Sequence, residues 1–236
     1  MANPTEVGYK GEHTAAVLEL HRDRRVRYLP SNFLETNSRK PWLATLHDAV
    51  VDWLRYMGVA SEVQTSDSGK FGHEIQVQTP GVSQFHDLTN VGVGVSQVLP
   101  IIVMALLAEP PTLLIFEQPE LHLHPKVQAR LADFFLSVAL SGKQCLLETH
   151  SEYLVERFRL RIAQAEGDSM TKMVRLYFTE RHEGDTSCRP VEVTKYGAVP
   201  EWPTDFFDQS QIESEQIIQA ARAKRRNEKL SGGNQE

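Results

Sequence analysis

Cysteine is scarce: Cys145 and Cys188 are the only two in 236 residues. They make no disulfide framework, and one in an apolar run plus one in a polar stretch fits a reduced, cytoplasmic protein. Long apolar runs are lacking as well. The longest, Val98 to Phe116, is broken by Pro100 and by Glu109-Pro110-Pro111, which excludes a membrane span, and no secretory signal is read at the N-terminus. Excess positive charge is missing too. With a formal net charge of -6 the surface as a whole gives no basis for nucleic-acid binding, although a local basic patch remains open. What is present is ordinary for a globular chain, 41% hydrophobic and 24% charged residues, enough for a substantial core in one or two domains.

The organising stretch runs from Thr112 to Ser151. Leu113-Leu114-Ile115-Phe116 is too short for a helix, is bounded by prolines, and reads as a fully buried strand of a parallel sheet whose end delivers Glu117. From Lys126 to Leu140 the residues Val127, Leu131, Phe134, Phe135 and Val138 recur at helical steps, with Pro125 in the first turn and Gly142 after the last. Cys145-Leu146-Leu147 reads as a second buried strand, delivering Glu148, Thr149 and His150. Strand, helix, strand at this spacing predicts a right-handed βαβ unit, with both polar clusters on the carboxyl edge where open parallel sheets bind ligands.

Upstream, Arg22 to Arg27 reads as a charged, solvated connection. A helix is predicted from Pro41 through an apolar stripe of Leu43, Leu46, Val50, Val51, Trp53, Leu54 and Met57, ended by Gly58. Ser61 to Thr89 alternates with period two and predicts a hairpin or meander. Gly69-Lys70 is no phosphate-binding loop, because the earlier glycine and the following Ser or Thr are missing. Gly92-Val93-Gly94-Val95-Ser96-Gln97 opens the apolar run to Ala108, a helix mouth suited to phosphate, although a Ser at a helix start is also a commonplace cap. Downstream, Glu152 to Ala163 predicts a helix, Lys172 to Thr179 a strand, and Pro190 to Val193 a strand pairing back. The turn Tyr196 to Asp208 carries aromatic anchors for a last helix, Gln211 to about Lys229, with a disordered end after it.

Glu117-Gln118-Pro119-Glu120, followed by Leu121-His122-Leu123-His124-Pro125 and later by Thr149-His150-Ser151, resembles the Walker B, D-loop and switch-histidine segments of ABC-type ATPases. The likeness is nearest to the SMC, RecF and OLD-like branch, whose members work in DNA repair and phage defence, and the C-terminal turn resembles a short module of unknown function found on some of them. The resemblance implies an α/β P-loop NTPase half: a parallel sheet flanked by helices, with a helical/β signature region. It implies ATP and Mg²⁺ as cofactors, Glu117 on the metal, and His150 on the γ-phosphate. Gly94, Ser96 and Gln97 take the place of the signature loop, with only part of its usual pattern; Glu120, in the D-loop at a dimer interface, is implied with them as a nucleotide-binding residue. Reading His122 and His124 as a metal site instead lacks further ligands at the right spacing.

At the catalytic glutamate position stands Gln118, an amide that cannot accept a proton. Either this is a substitution that traps the ATP-bound state, which the intact neighbouring motifs favour, or the protein hydrolyses poorly by nature. No Gly-x-x-x-x-Gly-Lys-Ser/Thr occurs in the chain, so a Walker A-bearing half is the first partner implied. Further implied partners are a second head in a homo-oligomer and an effector nuclease or other defence protein. The boundaries read as 1–90 for a connecting lobe, 91–195 for the ATPase core and 196–236 for the C-terminal module. A different class of function is a degenerate, non-catalytic half that scaffolds a complex. DNA contact through Arg222, Lys224, Arg225 and Arg226 is a third, and predicts affinity that falls steeply with salt.

Overall fold

The computed structural model describes residues 6–33, 35, 40–69, 72–182, 184–203 and 209–232. Lys70, the Phe206-Phe207-Asp208 part of the aromatic turn, and the last four residues lie outside these. Two compact units divide the chain, Met1–Phe158 and Arg159–Glu236.

In the first unit, α1 (Thr14–Leu20) is followed by β1 (Arg25–Tyr28), which pairs antiparallel with β2 (Trp42–Thr45). The sequence predicted a solvated connection at Arg22 to Arg27 and a helix from Pro41, and both are corrected here. Arg25 and Arg27 are exposed while Val26 and Tyr28 are buried, a period of two that a charge count hides. Leu43 belongs to the partner strand and is exposed, so the helical stripe starts only at Leu46.

Helix α2 (Leu46–Met57) begins there because the Thr45 side chain accepts from Asp48 N, and it stops at Gly58, whose φ of 76° is a left-handed conformation that glycine adopts freely. Strands β3 (Glu62–Asp67), β4 (His73–Gln78) and β5 (Phe85–Asp87) form the expected antiparallel meander. After it comes α3 (Val93–Leu107), which buries Val95, Val98, Leu99, Ile102, Val103 and Leu106.

The central unit forms as the spacing predicts. β6 (Leu113–Glu117) and β7 (Gln144–Glu148) run parallel and adjacent, joined by α4 (Pro125–Leu140), with Leu113 opposite Gln144 and Glu117 opposite Glu148. A chain of rings ties this unit to α2. Trp53 lies edge-on to Phe134 at 5.1 Å, Phe134 meets Phe135 at 5.9 Å, and Phe135 meets Phe116 at 5.0 Å.

The strands are not buried on both faces, as their apolar runs had suggested. Leu114 and Phe116 point into the core, but Leu113, Ile115 and Leu146 are 53%, 59% and 57% exposed. Ile115 stands opposite Leu146 in the register, so these side chains make one bare apolar strip on the face away from α4.

Beneath the rings lies a fully buried charge. Asp133 Oδ2 accepts from Tyr56 Oη at 2.5 Å and from Arg157 Nε and Nη2 at 2.9 and 2.7 Å. Burial and the Asp133 carboxylate hold the Tyr56 hydroxyl above its usual pKa. A second buried ion, Lys143, donates from Nζ to the Ala105 carbonyl at 2.6 Å, and burial lowers its pKa from 10.5 to about 8.

Helix α5 (Glu152–Gln164) runs across the division between the units. In the second unit α6 (Ser169–Met173) takes residues expected in a strand, and β8 (Leu176–His182) pairs antiparallel with β9 (Asp185–Val191), which shares only Pro190 and Val191 with the return strand expected at Pro190 to Val193. Arg159 donates from Nε to the Gly197 carbonyl at 2.7 Å, and its guanidinium lies over the Trp202 ring. Helix α7 (Gln209–Gly232) is longer than expected, and its side chains from Ile212 to Arg226 are all exposed, including Ile217 and Ile218. Of the aromatic anchors expected for this helix, Phe206 and Phe207 lie outside the described residues, while Ile212, Ile217 and Ile218 of the helix itself are exposed. No helix among the described residues is long and apolar enough to cross a membrane.

Candidate functional site

The two strand ends of the βαβ unit deliver their polar residues side by side. Glu117 and Glu148 are register partners, the last residues of β6 and β7, and both are exposed. Immediately beyond β6 the chain turns sharply: Gln118 and His122 have φ of 45° and 60°, left-handed values that few non-glycine residues adopt. Gln118 N donates to the Glu148 carbonyl at 2.9 Å, extending the ladder by one bond and fixing the turn to the end of β7.

Side chains converge on this edge. Gln118 Nε2 lies 3.4 Å from Glu148 Oε1, and His150 Nε2 lies 3.3 Å from the same oxygen. The His150 side chain is 77% exposed, so the imidazole stands at the rim of the sheet rather than in the core.

Glu120 is turned the other way. It is only 7% exposed, its Oε1 accepts from His150 N at 2.7 Å, and its Oε2 is buried with no hydrogen-bond partner among the described residues. Ser151 Oγ donates to Gln128 Oε1 at 2.6 Å and accepts from Leu154 N at 3.1 Å, which makes Ser151 the cap of α5. Gln128 Nε2 completes the chain of bonds by donating to the Leu123 carbonyl at 2.8 Å. His124 caps α4, its Nδ1 accepting from Lys126 N.

Glu117, Gln118, Glu120 and His150 are thus brought into one neighbourhood. Gly94, Ser96 and Gln97 sit on α3 instead. Its first residue is Val93 and its cap Gly92, so Ser96 lies a turn inside the helix and is not its cap. A Cβ built on Gly94 would stand 3.8 Å from Leu123 Cδ2, which brings the start of α3 against the His122 to His124 segment. Ser96 also lines a cleft of about 580 Å³ with Lys10, Thr14, His73, Thr89 and Pro100, and none of the four residues at the sheet edge lines it.

Among the described residues there is no group of three or more His, Cys, Asp and Glu that could hold a metal ion. Glu117 suits a hard cation in a different way. Mg²⁺ is commonly held by one or two carboxylates together with phosphate oxygens and water, and an exposed carboxylate at a strand end is such a donor.

Sequence reasoning delivered Glu148 to the strand end but gave it no part. The signal was present: both strands of the unit end in Glu, and in-register parallel pairing sets such residues next to each other.

Residues 75–156 match the family described as "AAA domain, putative AbiEii toxin, Type IV TA system". The central segment is similar to an AAA-type ATPase domain. Residues 170–217 match a second family, described as a protein of unknown function (DUF3696). No curated protein matches the chain. Similar solved structures include one from work on ATP-driven dimerization and DNA stimulated activation of SMC ATPases, at 12% identity over 62% of this chain and 83% of that one, with a TM-score of 0.47. Another is an Smc head bound to the C-winged helix domain of ScpA, at 12% identity, 64% and 43% coverage and a TM-score of 0.46. A third is an Smc head domain with an extended coiled coil from Pyrococcus furiosus, bound to the C-terminal domain of ScpA, at 11% identity, 90% and 44% coverage and a TM-score of 0.44. The chain spans less than half the length of the last two.

Proposed function

We propose that this chain is the signature, Walker B and switch-histidine half of an ABC-type ATPase head, completed by a Walker A-bearing half. The observation that carries the reading is the convergence of Glu117, Gln118, Glu148 and His150 on the carboxyl edge of one parallel strand pair, inside the segment that matches an AAA domain. Each group has a task there. Glu117 would hold Mg²⁺ directly or through water, Gln118 would orient a water by hydrogen bonding, and His150 would donate to a γ-phosphate oxygen. The cation supplies charge neutralisation on the phosphates. Ser96 and Gln97 would reach a nucleotide held by a second head, giving a dimer closed around ATP. Its output, in phage defence or DNA metabolism, would pass through a partner such as an effector nuclease.

The bare strip of Leu113, Ile115 and Leu146 supports the need for a second half, because parallel strands are stable when both faces are covered. The test mixes the chain with its Walker A-bearing half and measures both association and ATP binding. Leu146→Lys is expected to abolish association while leaving the isolated chain's stability within about 0.5 kcal/mol, as surface changes usually do. Unaltered association would remove the strip from the account. Association without ATP binding would instead leave a non-catalytic scaffold.

A further inference from the structure

At the position where this kind of site needs a carboxylate, the chain has an amide, and a carboxylate from the neighbouring strand stands beside it. We propose that Glu148 is the general base for ATP hydrolysis, doing what Gln118 cannot. This rests on the reading of the chain as half of an ATPase head.

Three features carry it. The register puts Glu148 level with Glu117, so its carboxylate shares the edge with the metal-side acid. Gln118 Nε2 points at Glu148 Oε1 from 3.4 Å, so amide and carboxylate face one small volume. His150 Nε2 approaches that same oxygen at 3.3 Å, so both contacts converge on Oε1 and leave Oε2 to accept from a water. The Glu148 side chain is 51% exposed, which gives a water access to it. A base must come within hydrogen-bond reach of the proton it takes, directly or through one water, and a carboxylate in contact with Gln118 would have that reach to a water the amide holds.

Water loses one proton to Glu148 as its oxygen forms a bond to the γ-phosphorus. The bond from that phosphorus to the bridging oxygen breaks, and ADP leaves with the electron pair. Glu148 then returns the proton to phosphate or solvent. Gln118 keeps a role that an amide performs well, donating to the carboxylate and accepting from the same water. Its presence is then no obstacle to turnover.

The experiment is a single turnover of γ-labelled ATP by the whole head, this chain with its Walker A-bearing half. Bound ATP, bound ADP and released phosphate are counted in each quenched sample. The unmodified head is expected to hydrolyse. Glu148→Gln is expected to hold ATP within about threefold of the unmodified affinity while hydrolysis falls about 100-fold or more, the range a positioned base contributes. Gln118→Glu placed in the Glu148→Gln chain is expected to recover turnover. If Glu148→Gln does not fold, Glu148→Asp serves, since a withdrawn carboxylate also lowers turnover at unchanged ATP binding.

Hydrolysis by Glu148→Gln close to the unmodified rate would overturn the assignment and leave the ATPase reading intact. So would loss of ATP binding in that variant, which would make Glu148 a binding group. An unmodified head that binds ATP without turnover would overturn it too. A head that binds no ATP in any version overturns the ATPase reading itself.

Discussion

Removing the carboxylate of Asp133 isolates the buried charge on which α2, α4 and α5 meet. Its Oδ2 takes three donors, one from Tyr56 and two from Arg157, with no exposed surface. Breaking one side of a buried ion pair costs about 3–5 kcal/mol, because the partner charge is left without compensation. The Arg157 side chain is 25% exposed and can turn partly to water, which puts Asp133→Ala toward the lower end of that range. Asp133→Asn keeps the shape and one acceptor, and is expected to cost about 1.5–3 kcal/mol, the worth of a hydrogen bond to a charged group.

Trp53 reports the event. It is fully buried, and its ring is 5.5 Å from that of Tyr56 and 5.1 Å from that of Phe134. With Trp42 and Trp202 changed to Phe, its fluorescence follows urea unfolding of this unit alone. At about 1–3 kcal/mol per molar urea, Asp133→Ala should lower the midpoint by at least about 1 M at constant slope. The decisive companion is Asp133→Leu with Tyr56→Phe and Arg157→Met, expected to lie within about 1–2 kcal/mol of the parent, since apolar replacement of a whole buried pair is commonly near neutral. A midpoint for Asp133→Ala within about 0.3 M of the parent, or a triple variant weaker than the single one, would refute the reasoning.

Two further outcomes follow from positions already described. Burial holds the Lys143 ammonium at a pKa of about 8 against 10.5 ordinarily, so between those values the unfolded chain binds more protons and stability should rise with pH. The rise is at most on the order of 2–3 kcal/mol and should vanish in Lys143→Met. Cys145 acts oppositely, its thiol pushed by burial from 9.0 to about 11, so the comparison belongs in a Cys145→Ala background, measured as urea midpoints from pH 7 to 10.5. Gly58→Ala should cost about 1 kcal/mol or more in thermal melts, because φ is 76° and the added Cβ would lie 3.3 Å from Arg130 Nη1. An unchanged melting temperature would mean that the turn relaxes.

What was legible in the sequence was what depends on neighbours along the chain. The βαβ unit, the meander and the start of α5 each announce themselves through spacing, caps and turn residues. Strands β1 and β2 did not, because each has only four residues, so that alternating Arg, Val, Arg and Tyr looked like a charged linker. Apolar runs also say nothing about which face is covered, which is why Leu113, Ile115 and Leu146 read as core. The same limit hid Glu148. Its neighbours Glu117 and Gln118 are a strand away, and only the register brings them together.

Glu120 gripping the amide of His150, and Ser151 joined through Gln128 to Leu123, cross-link two loops that lie thirty residues apart. Two such ties leave little freedom for one loop to slide past the other. A push on the His122 to His124 segment, whatever its source, would therefore be felt at the imidazole of His150 as a displacement and not as slack. The two ties act in parallel, so neutralising Glu120 alone would leave the Ser151–Gln128–Leu123 chain in place, and only loss of both would disconnect the two ends.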